Sequence, residues 1–260
     1  QISFRGIKMS HDEFPSEIDG TIEARVLELG VGCVVAPGAK ISGIDGMAER
    51  VKLGDFCYIG PGVRVMAPEF EIGDYSKIHE RSTCHGKHPL IIGRNCWIGP
   101  NVMLDSMGGL TIDDNVGIGA NSQVWTHMQF GDLVEGCRFF SAKHLYIPKD
   151  VWFVAHCIVS PVIIGEKSMA LAGSVITSEM LPNHVYGGVP AMDLTSKLGN
   201  QFHNRSIKQK LEVMRSLIDE FVKNQPIYEG KLQAVASMKK RVDGVTYFDI
   251  STRKKTKNYS

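Results

Sequence analysis

The feature that most constrains this chain is a six-residue repeat. An aliphatic residue followed by a small residue recurs every six positions, as in Ile92-Gly93 and Ile98-Gly99. An amphipathic helix has a period of 3.6 residues and does not produce sixes. A step of six residues fits one short strand and one turn, and three such steps close a coil of about eighteen residues. The aliphatic side chains point into the coil and stack on those of the coils above and below. The repeat therefore predicts an all-β, parallel β-helix of about seven coils between Leu29 and Ile176.

Two interruptions mark loops in this repeat. The larger one separates Val124 from Ile147, and we place the excursion at residues 128–146. Long loops inside compact folds are commonly functional or disordered, and the aromatic residues of this one argue against disorder. A smaller insertion runs from Gly43 to Arg50.

After Asn204 the apolar spacing changes to fours and threes, which is typical of an amphipathic helix. Ser206 and Gln209 match a capping box, so a helix is expected from Ile207 to about Asn224. A second, shorter helix is expected in the segment 232–238, and a strand at 245–250. The domain prediction is an N-terminal segment 1–28, a β-helix 29–192 and a C-terminal helical extension 193–260.

Composition excludes several classes of protein. The 260 residues carry a net charge of +1, which gives no reason to expect nucleic acid as a partner. No stretch approaches the roughly 20 apolar residues of a membrane span, and no signal-peptide pattern opens the chain. The six cysteines are scattered without a CxxC pair, so we expect reduced, buried thiols in a cytoplasmic protein.

Three motifs in a fixed order extend this interpretation. A coil ends in Val124-Trp125-Thr126-His127, a later coil carries Asp150-Val151-Trp152, and the last reads 170–177 before Tyr186-Gly187-Gly188-Val189-Pro190-Ala191. With these motifs the chain resembles the hexapeptide-repeat acyltransferases, in particular the sugar O-acetyltransferase branch with the maltose and galactoside acetyltransferases. The resemblance implies a left-handed β-helix, a homotrimer with sites between neighbouring β-helices, acetyl-CoA as the donor and no metal.

The resemblance also implies site residues. His127 corresponds to the catalytic base, and histidine suits this role because its neutral ring accepts a hydroxyl proton near pH 7. Trp125 is expected against a sugar face, although it could equally pack under the loop. Asp105 is expected to bind the acceptor, with an ordinary turn aspartate as the alternative. Donor binding is expected at Ala155, Ala172, Gly173, Ser174, Gly187, Gly188 and Pro190, with Lys197 as a candidate phosphate partner.

The predicted function is acetyl transfer to a hydroxyl of a sugar, in surface polysaccharide biosynthesis. An alternative is N-acetylation of a nucleotide-linked amino sugar. A less favoured one is a zinc hydratase of the γ-carbonic anhydrase type, suggested by His79, His85 and His88, whose spacing does not match that family. His85 is the second candidate for the base. The other histidines considered, His144, His156 and His184, are expected in turns or loops, and His156 could also line the donor channel.

Overall fold

The structure is a computed structural model that describes residues 11–225, 232–242 and 245–252. These residues divide into two compact units, with the boundary between Phe202 and His203. The first unit is a parallel β-helix, and the second contains a helix and a β-hairpin. The predicted domain boundary at residue 193 therefore lies about ten residues before the observed one.

The first six coils each contribute one strand to each of three sheets, and the later coils add strands to sheets A and B only. The strands are numbered along the chain. Sheet A contains ten strands, β1 (Glu17–Ile18), β4 (Val34–Val35), β7 (Tyr58–Ile59), β10 (Lys77–Ile78), β13 (Trp97–Ile98), β16 (Gly117–Ile118), β21 (Trp152–Phe153), β23 (Met169–Ala170), β25 (Val185–Gly187) and β26 (Met192–Asp193). Sheet B contains eight, β2 (Thr21–Ile22), β5 (Lys40–Ser42), β8 (Arg64–Met66), β11 (Thr83–His85), β14 (Met103–Asp105), β17 (Gln123–Val124), β22 (Ile158–Val159) and β24 (Val175–Ile176). Sheet C contains six, β3 (Ala24–Leu29), β6 (Ala48–Leu53), β9 (Glu69–Ile72), β12 (Leu90–Ile92), β15 (Leu110–Ile112) and β20 (Leu145–Ile147). The predicted β-helix is confirmed.

The aliphatic residues of the repeat lie inside this three-sided unit. Ile78, Ile98 and Ile118 pair in register on adjacent coils and are fully buried. Burying a side chain of this size contributes about 1.5–3 kcal/mol, so each residue added to the column stabilises the stack. The small residue that follows is needed because the next coil lies against it. A Cβ on Gly119 would overlap the carbonyl oxygen of Val154.

The corners of the coils are closed by buried hydroxyls and thiols. The Ser76 hydroxyl accepts a hydrogen bond from the backbone N–H of Cys96 and donates one to the carbonyl of Gly93 at 2.7 Å. The Cys33 thiol donates in the same way to the carbonyl of Gly54 at 2.9 Å. Five of the six cysteines are buried, as expected, and Cys137 in the excursion is partly exposed.

The β-helix begins earlier than the sequence predicts. The residues from Glu17 to Leu29 form β1, β2 and β3, which complete a first coil, so the predicted boundary at residue 28 falls inside that coil. The excursion also ends earlier than residue 146, because Leu145 is buried and pairs with Leu110 in sheet C. The excursion itself contains an antiparallel hairpin of β18 (His127–Gln129) and β19 (Phe140–Ala142).

A short helix, α1 (Thr195–Leu198), closes the first unit. The second unit begins with α2 (Ile207–Asn224), and Ser206 with Gln209 forms the predicted capping box. The expected second helix at 232–238 is wrong, because this segment lies in strand β27 (Leu232–Val242). It pairs antiparallel with β28 (Val245–Thr252), and the strand expected at 245–250 is confirmed.

Candidate active site

The candidate site lies at the corner between sheets B and C, where β17 ends and the excursion begins. Thr126 is buried there, and His127 starts the excursion hairpin with its side chain about one quarter exposed, at 23%. Asp105 ends β14 one coil earlier in the stack, and its side chain is fully buried. The parallel register of β14 and β17 therefore carries Asp105 to a position beside His127.

Four hydrogen bonds converge on the Asp105 carboxylate. Its Oδ2 accepts from the Thr126 backbone N–H at 2.7 Å and from the Thr126 hydroxyl at 2.6 Å. The same oxygen lies 2.8 Å from Nδ1 of His127, and Oδ1 accepts from the Met107 N–H at 3.3 Å. Hydrogen bonds to ionised groups are shorter and stronger than neutral ones, so this arrangement holds a charged carboxylate in the corner.

The electrostatics of Asp105 agree with this geometry. Burial raises the pKa of the Asp105 carboxyl, but the hydrogen bonds from the Thr126 and His127 side chains and from two backbone N–H groups lower it more, and the net pKa lies below the usual value. Because an ionised carboxylate only accepts, Nδ1 of His127 must carry the proton of this bond. The lone pair of a neutral His127 ring then resides on Nε2, which is the atom that can accept a proton.

This burial corrects one sequence-based assignment. Asp105 was expected to bind the acceptor, but its side chain has no exposed surface and all its contacts are to the corner itself. It positions the histidine. Trp125 is half-buried with its ring centroid 6.1 Å from that of His127 at an angle of 61°, and its Nε1 donates to Gln123. A stacking role toward a sugar stays a prediction.

The residues expected to bind the donor lie at a different corner, between sheets A and B. Ala155, Gly173 and Gly188 occupy this corner on three successive coils. The Gly173 N–H donates to the Ala155 carbonyl at 2.9 Å, and the Val175 N–H to the Gly188 carbonyl at 3.0 Å. Ala172, Gly188 and Pro190 are exposed along the same edge. Within one chain the structure does not bring these residues together with His127, because sheet B separates the two corners.

Two of the expected donor residues do not face the surface. Ser174 is fully buried, and its hydroxyl donates to the carbonyl of Leu171. Gly187 is buried as well, and a Cβ there would lie 2.8 Å from a methyl group of Leu194. The small residue at each position serves the packing of the last coil, and the expected donor contacts of both residues stay a prediction. Lys197 lies in α1.

The other histidines are spread over the β-helix. His79 follows β10, with its ring between Tyr58 and Trp97 at centroid distances of 5.7 and 5.0 Å, and burial lowers the pKa of its ring. His85 ends β11 in register with Asp105, on the side away from His127. Within the described ranges no three histidine, cysteine, aspartate or glutamate side chains cluster as a metal site.

Three further histidines, His144, His156 and His184, lie in turns or loops, as expected. His144 and His156 are exposed, at the corner between sheets B and C and at the corner between sheets A and B, respectively. His184 pairs through Nδ1 with the Asp193 carboxylate at 2.7 Å. In the part of the chain that the structure describes, no helix has the length and apolar character of a membrane span.

The sequence and the fold have counterparts among known acetyltransferases. No family model matches the chain. The galactoside O-acetyltransferase of Escherichia coli K12 is 27% identical over 175 residues, which cover 55% of this chain and 86% of that protein. A putative colanic acid biosynthesis acetyltransferase, WcaF of the same strain, is 30% identical over 42% of this chain and 64% of its own length.

Among solved structures, the polysialic acid O-acetyltransferase OatWY superposes with a TM-score of 0.52, covering 71% of this chain and 90% of that one. Its sequence is only 14% identical, so this similarity concerns the fold alone. The sequence relatives and the repeat together confirm the resemblance to the hexapeptide-repeat acyltransferases of the sugar O-acetyltransferase branch. The prediction of an acyltransferase is confirmed with it.

Proposed function

We propose that this protein transfers an acetyl group from acetyl-CoA to a hydroxyl of a saccharide, with His127 as the general base. The observation that carries this proposal is the hydrogen bond between His127 and the buried Asp105 carboxylate at the border of the excursion. A base oriented by a third group, with its other nitrogen free, is the arrangement that activates a hydroxyl for attack.

The chemistry follows from that geometry. Nε2 of His127 takes the proton of the acceptor hydroxyl while the hydroxyl oxygen attacks the thioester carbonyl carbon. A new C–O bond forms, and the C–S bond breaks as the tetrahedral intermediate collapses. The CoA thiolate leaves and receives the proton from the imidazolium. Asp105 stabilises the imidazolium that exists between these two proton transfers, since the carboxylate lies 2.8 Å from Nδ1.

The active form in this proposal is a homotrimer. Ala155, Gly173 and Gly188 lie at one edge of sheet B and His127 at the other, so a single chain does not assemble donor and base. In this proposal, rotation about a threefold axis would set the donor corner of one copy against the His127 corner of the next, and such a heterologous interface closes into a ring. Acetyl-CoA would bind along the exposed backbone of the donor corner.

The base assignment is tested by following thiol release from acetyl-CoA with a panel of galactosides, other sugars and nucleotide-linked amino sugars. General base catalysis contributes typically 10²–10⁴-fold, so His127→Ala should lower kcat by about that factor. His85→Ala is the matched control and should keep near wild-type turnover. Equal activity of both variants would refute the assignment.

The shared site is tested by mixing two inactive chains. His127→Ala lacks the base, and Ala172→Trp blocks the exposed donor corner. If the site lies between copies, co-assembled chains should recover roughly a quarter of the activity, because one interface in four combines the two intact halves. A mixture that stays inactive although native mass spectrometry shows mixed trimers would place the whole site in one chain.

The same panel separates the alternatives for the acceptor. Transfer to a nucleotide-linked amino sugar in preference to every hydroxyl acceptor would favour N-acetylation. We place the protein in the cytoplasm, where acetyl-CoA is available, and its role in the synthesis of a surface polysaccharide. The relatives named for galactosides and for colanic acid biosynthesis support a saccharide acceptor.

A further inference from the structure

A row of aromatic side chains runs along the outer face of sheet A. Tyr58, Trp97 and Trp152 lie at the same register position, on every second strand of the stack. Lys77 and Gly117 occupy the strands between them. The residues before and after each aromatic are buried in the core, so the three rings point outward. We call Tyr58, Trp97 and Trp152 the aromatic row.

The rings of the aromatic row are held in place by their neighbours. The ring of His79 lies between those of Tyr58 and Trp97 at centroid distances of 5.7 and 5.0 Å. Trp97 leans over Gly99, where a Cβ would lie 2.9 Å from its Cζ3. Trp152 leans in the same way over the glycine of the strand before it, where a Cβ would lie 3.0 Å from its Cδ1. Rings that are already fixed lose little conformational entropy on binding, so the row is preorganised for a ligand with flat faces.

The aromatic row is open to solvent although its members are large. Trp97 is 44% exposed and Trp152 is 45% exposed, while Tyr58 is partly buried. A lysine and a glycine separate the rings, so the surface is a series of separate aromatic faces and not one continuous apolar patch. A protein partner buries a contiguous apolar centre, which this face does not offer. The alternation favours a ligand that repeats along its own length.

The spacing of the aromatic row matches a chain of sugars. Adjacent strands lie about 4.8 Å apart, so the rings follow one another at about 10 Å and the row spans about 19 Å. One residue of an extended saccharide is about as long as one strand spacing, so every second sugar meets a ring. The C–H groups of a sugar face carry partial positive charge and are attracted to the negative face of an aromatic ring. We propose that the aromatic row binds an extended saccharide chain, so that the acceptor of acetyl transfer is an oligosaccharide or a polymer.

The inference rests on the proposed function, because it assigns the substrate class of the same site. Trp152 lies three residues before Ala155 of the donor corner, so one end of the aromatic row reaches the place where acetyl-CoA is proposed to bind. In the proposed trimer both contacting corners are edges of sheet B, and sheet A would keep its outer face free. A chain held along the row would present a hydroxyl at the Trp152 end, next to the donor and to the base of the next copy.

The test is a length series of acceptors. Thiol release from acetyl-CoA is measured with galacto-, chito- and malto-oligosaccharides, each from the single sugar to the hexamer. We expect kcat/KM to rise with chain length in at least one series and to level off at about five residues, one for each strand that the row spans. The same chains should change the tryptophan fluorescence of the protein in the absence of acetyl-CoA, which reports binding independently of turnover.

The aromatic row is tested with the variants Trp97→Thr and Tyr58→Thr, in which threonine retains the preference for a strand. One aromatic contact changes affinity about 2- to 12-fold, so each variant should lower kcat/KM for the longest chains by about that factor. Because Tyr58 lies at the far end of the row, Tyr58→Thr should spare shorter chains that Trp97→Thr affects. Activity on the single sugar and the KM for acetyl-CoA should not change. The control Ile91→Thr removes an exposed apolar side chain from sheet C and should behave as wild type.

Several results would overturn the inference without touching the proposed function. These are equal kcat/KM for all chain lengths in every series, a length dependence that both variants retain, and an equal loss on single sugars and long chains. A shift of either variant from trimer to monomer in light scattering would also overturn it, because the row would then be an interface between copies. A protein that binds acetyl-CoA but releases no thiol with any acceptor, short or long, would instead contradict the proposed function.

Discussion

Replacing Asp105 by asparagine removes one negative charge from beneath the candidate base and leaves the shape of the corner unchanged. The Asn oxygen can occupy the place of Oδ2, where it still accepts from Thr126 and His127. The amide NH₂ then faces the Met107 N–H, which bonds Oδ1 at 3.3 Å in the native chain. The variant therefore retains the tautomer of His127 and loses the charge that stabilises its imidazolium.

The size of the effect follows from the bond that is weakened. A hydrogen bond to a charged group contributes about 1.5–3 kcal/mol, and the His127–Asp105 contact at 2.8 Å is charged on both sides only after His127 takes the proton. Since about 1.4 kcal/mol corresponds to a factor of ten in rate, kcat should fall about 10- to 150-fold. The KM for acetyl-CoA should stay constant, because the donor corner lies across sheet B.

The assay is steady-state thiol release with acetyl-CoA and the best acceptor of the panel. Asp19→Asn, an exposed carboxylate in the first coil, is the matched control and should turn over at the wild-type rate. Thermal unfolding by circular dichroism separates a catalytic loss from misfolding. Two results would refute this reasoning: a wild-type kcat for Asp105→Asn, or a loss of activity that only follows the fraction of unfolded protein. In either case the Asp105 carboxylate serves the fold and takes no part in catalysis.

Three further outcomes are expected from the same contacts. Thr126→Val should lower kcat several-fold and the free energy of unfolding by about 1–3 kcal/mol, measured by urea denaturation, because it removes the hydroxyl bond to Asp105. Gly119→Ala should lower the Tm strongly or prevent folding, since the new Cβ would overlap the next coil, and a normal Tm would contradict the packing described above. Hydrogen bonds from Thr195 lower the pKa of the Asp193 carboxyl to about 2. The stabilisation of the fold by the ionised carboxylate should therefore be complete above about pH 4 and decline as the pH falls toward 2. The Tm difference between wild type and Asp193→Asn should close over that range, and a difference independent of pH would refute the pairing.

The parts of the fold that sequence predicts well are those with a local rule. The six-residue spacing of Ile92, Ile98 and Leu104 determines which side chains face inward, and the structure buries all three. The helix α2 begins at Ile207 because Ser206 and Gln209 satisfy its first N–H groups reciprocally, and this capping pattern is readable without any tertiary contact.

The first coil was missed because its strands break the spacing. Ile18 and Ile22 lie four positions apart in strands of two residues each, so no six-residue register connects them to Val35 and Ile41, on which they pair. Pairing with the second coil, rather than a pattern of their own, fixes these strands. A search for repeats finds coils that share the six-residue spacing. It overlooks a coil whose strands are set only by pairing with the next coil.

The segment at 232–238 shows a different failure. Its apolar residues satisfy both a helical spacing and the alternation Leu232, Ala234, Ala236, Met238, and short apolar runs do not separate the two. The Asp243-Gly244 pair between two such runs is a strong hairpin signature in sequence, and it favours the strand pairing of β27 with β28.

The role of Asp105 was predictable only from coil length. Successive coils here are 20 residues long between His85 and Asp105, which pair in register, so position 105 falls one coil below the segment 125–127. The resemblance to a family stretch suggested contact with the acceptor. The Asp105 side chain is buried by the neighbouring coils and by the excursion. Both lie far from Asp105 in the sequence, so its local sequence does not indicate this burial.

The location of the site follows from the shape of a β-helix. The regular coils of a β-helix enclose one interior column and leave a convex outer surface, which has no cleft from which water can be excluded during a reaction. A cleft arises only where a coil lengthens or where a second copy approaches. The corner between sheets B and C lengthens at 105–109 and again at the excursion, and these two departures from the repeat bring Asp105 and His127 together. The donor corner has no such lengthening. The buried carboxylate and the histidine that it bonds therefore belong to one chain, and both come from departures from the repeat.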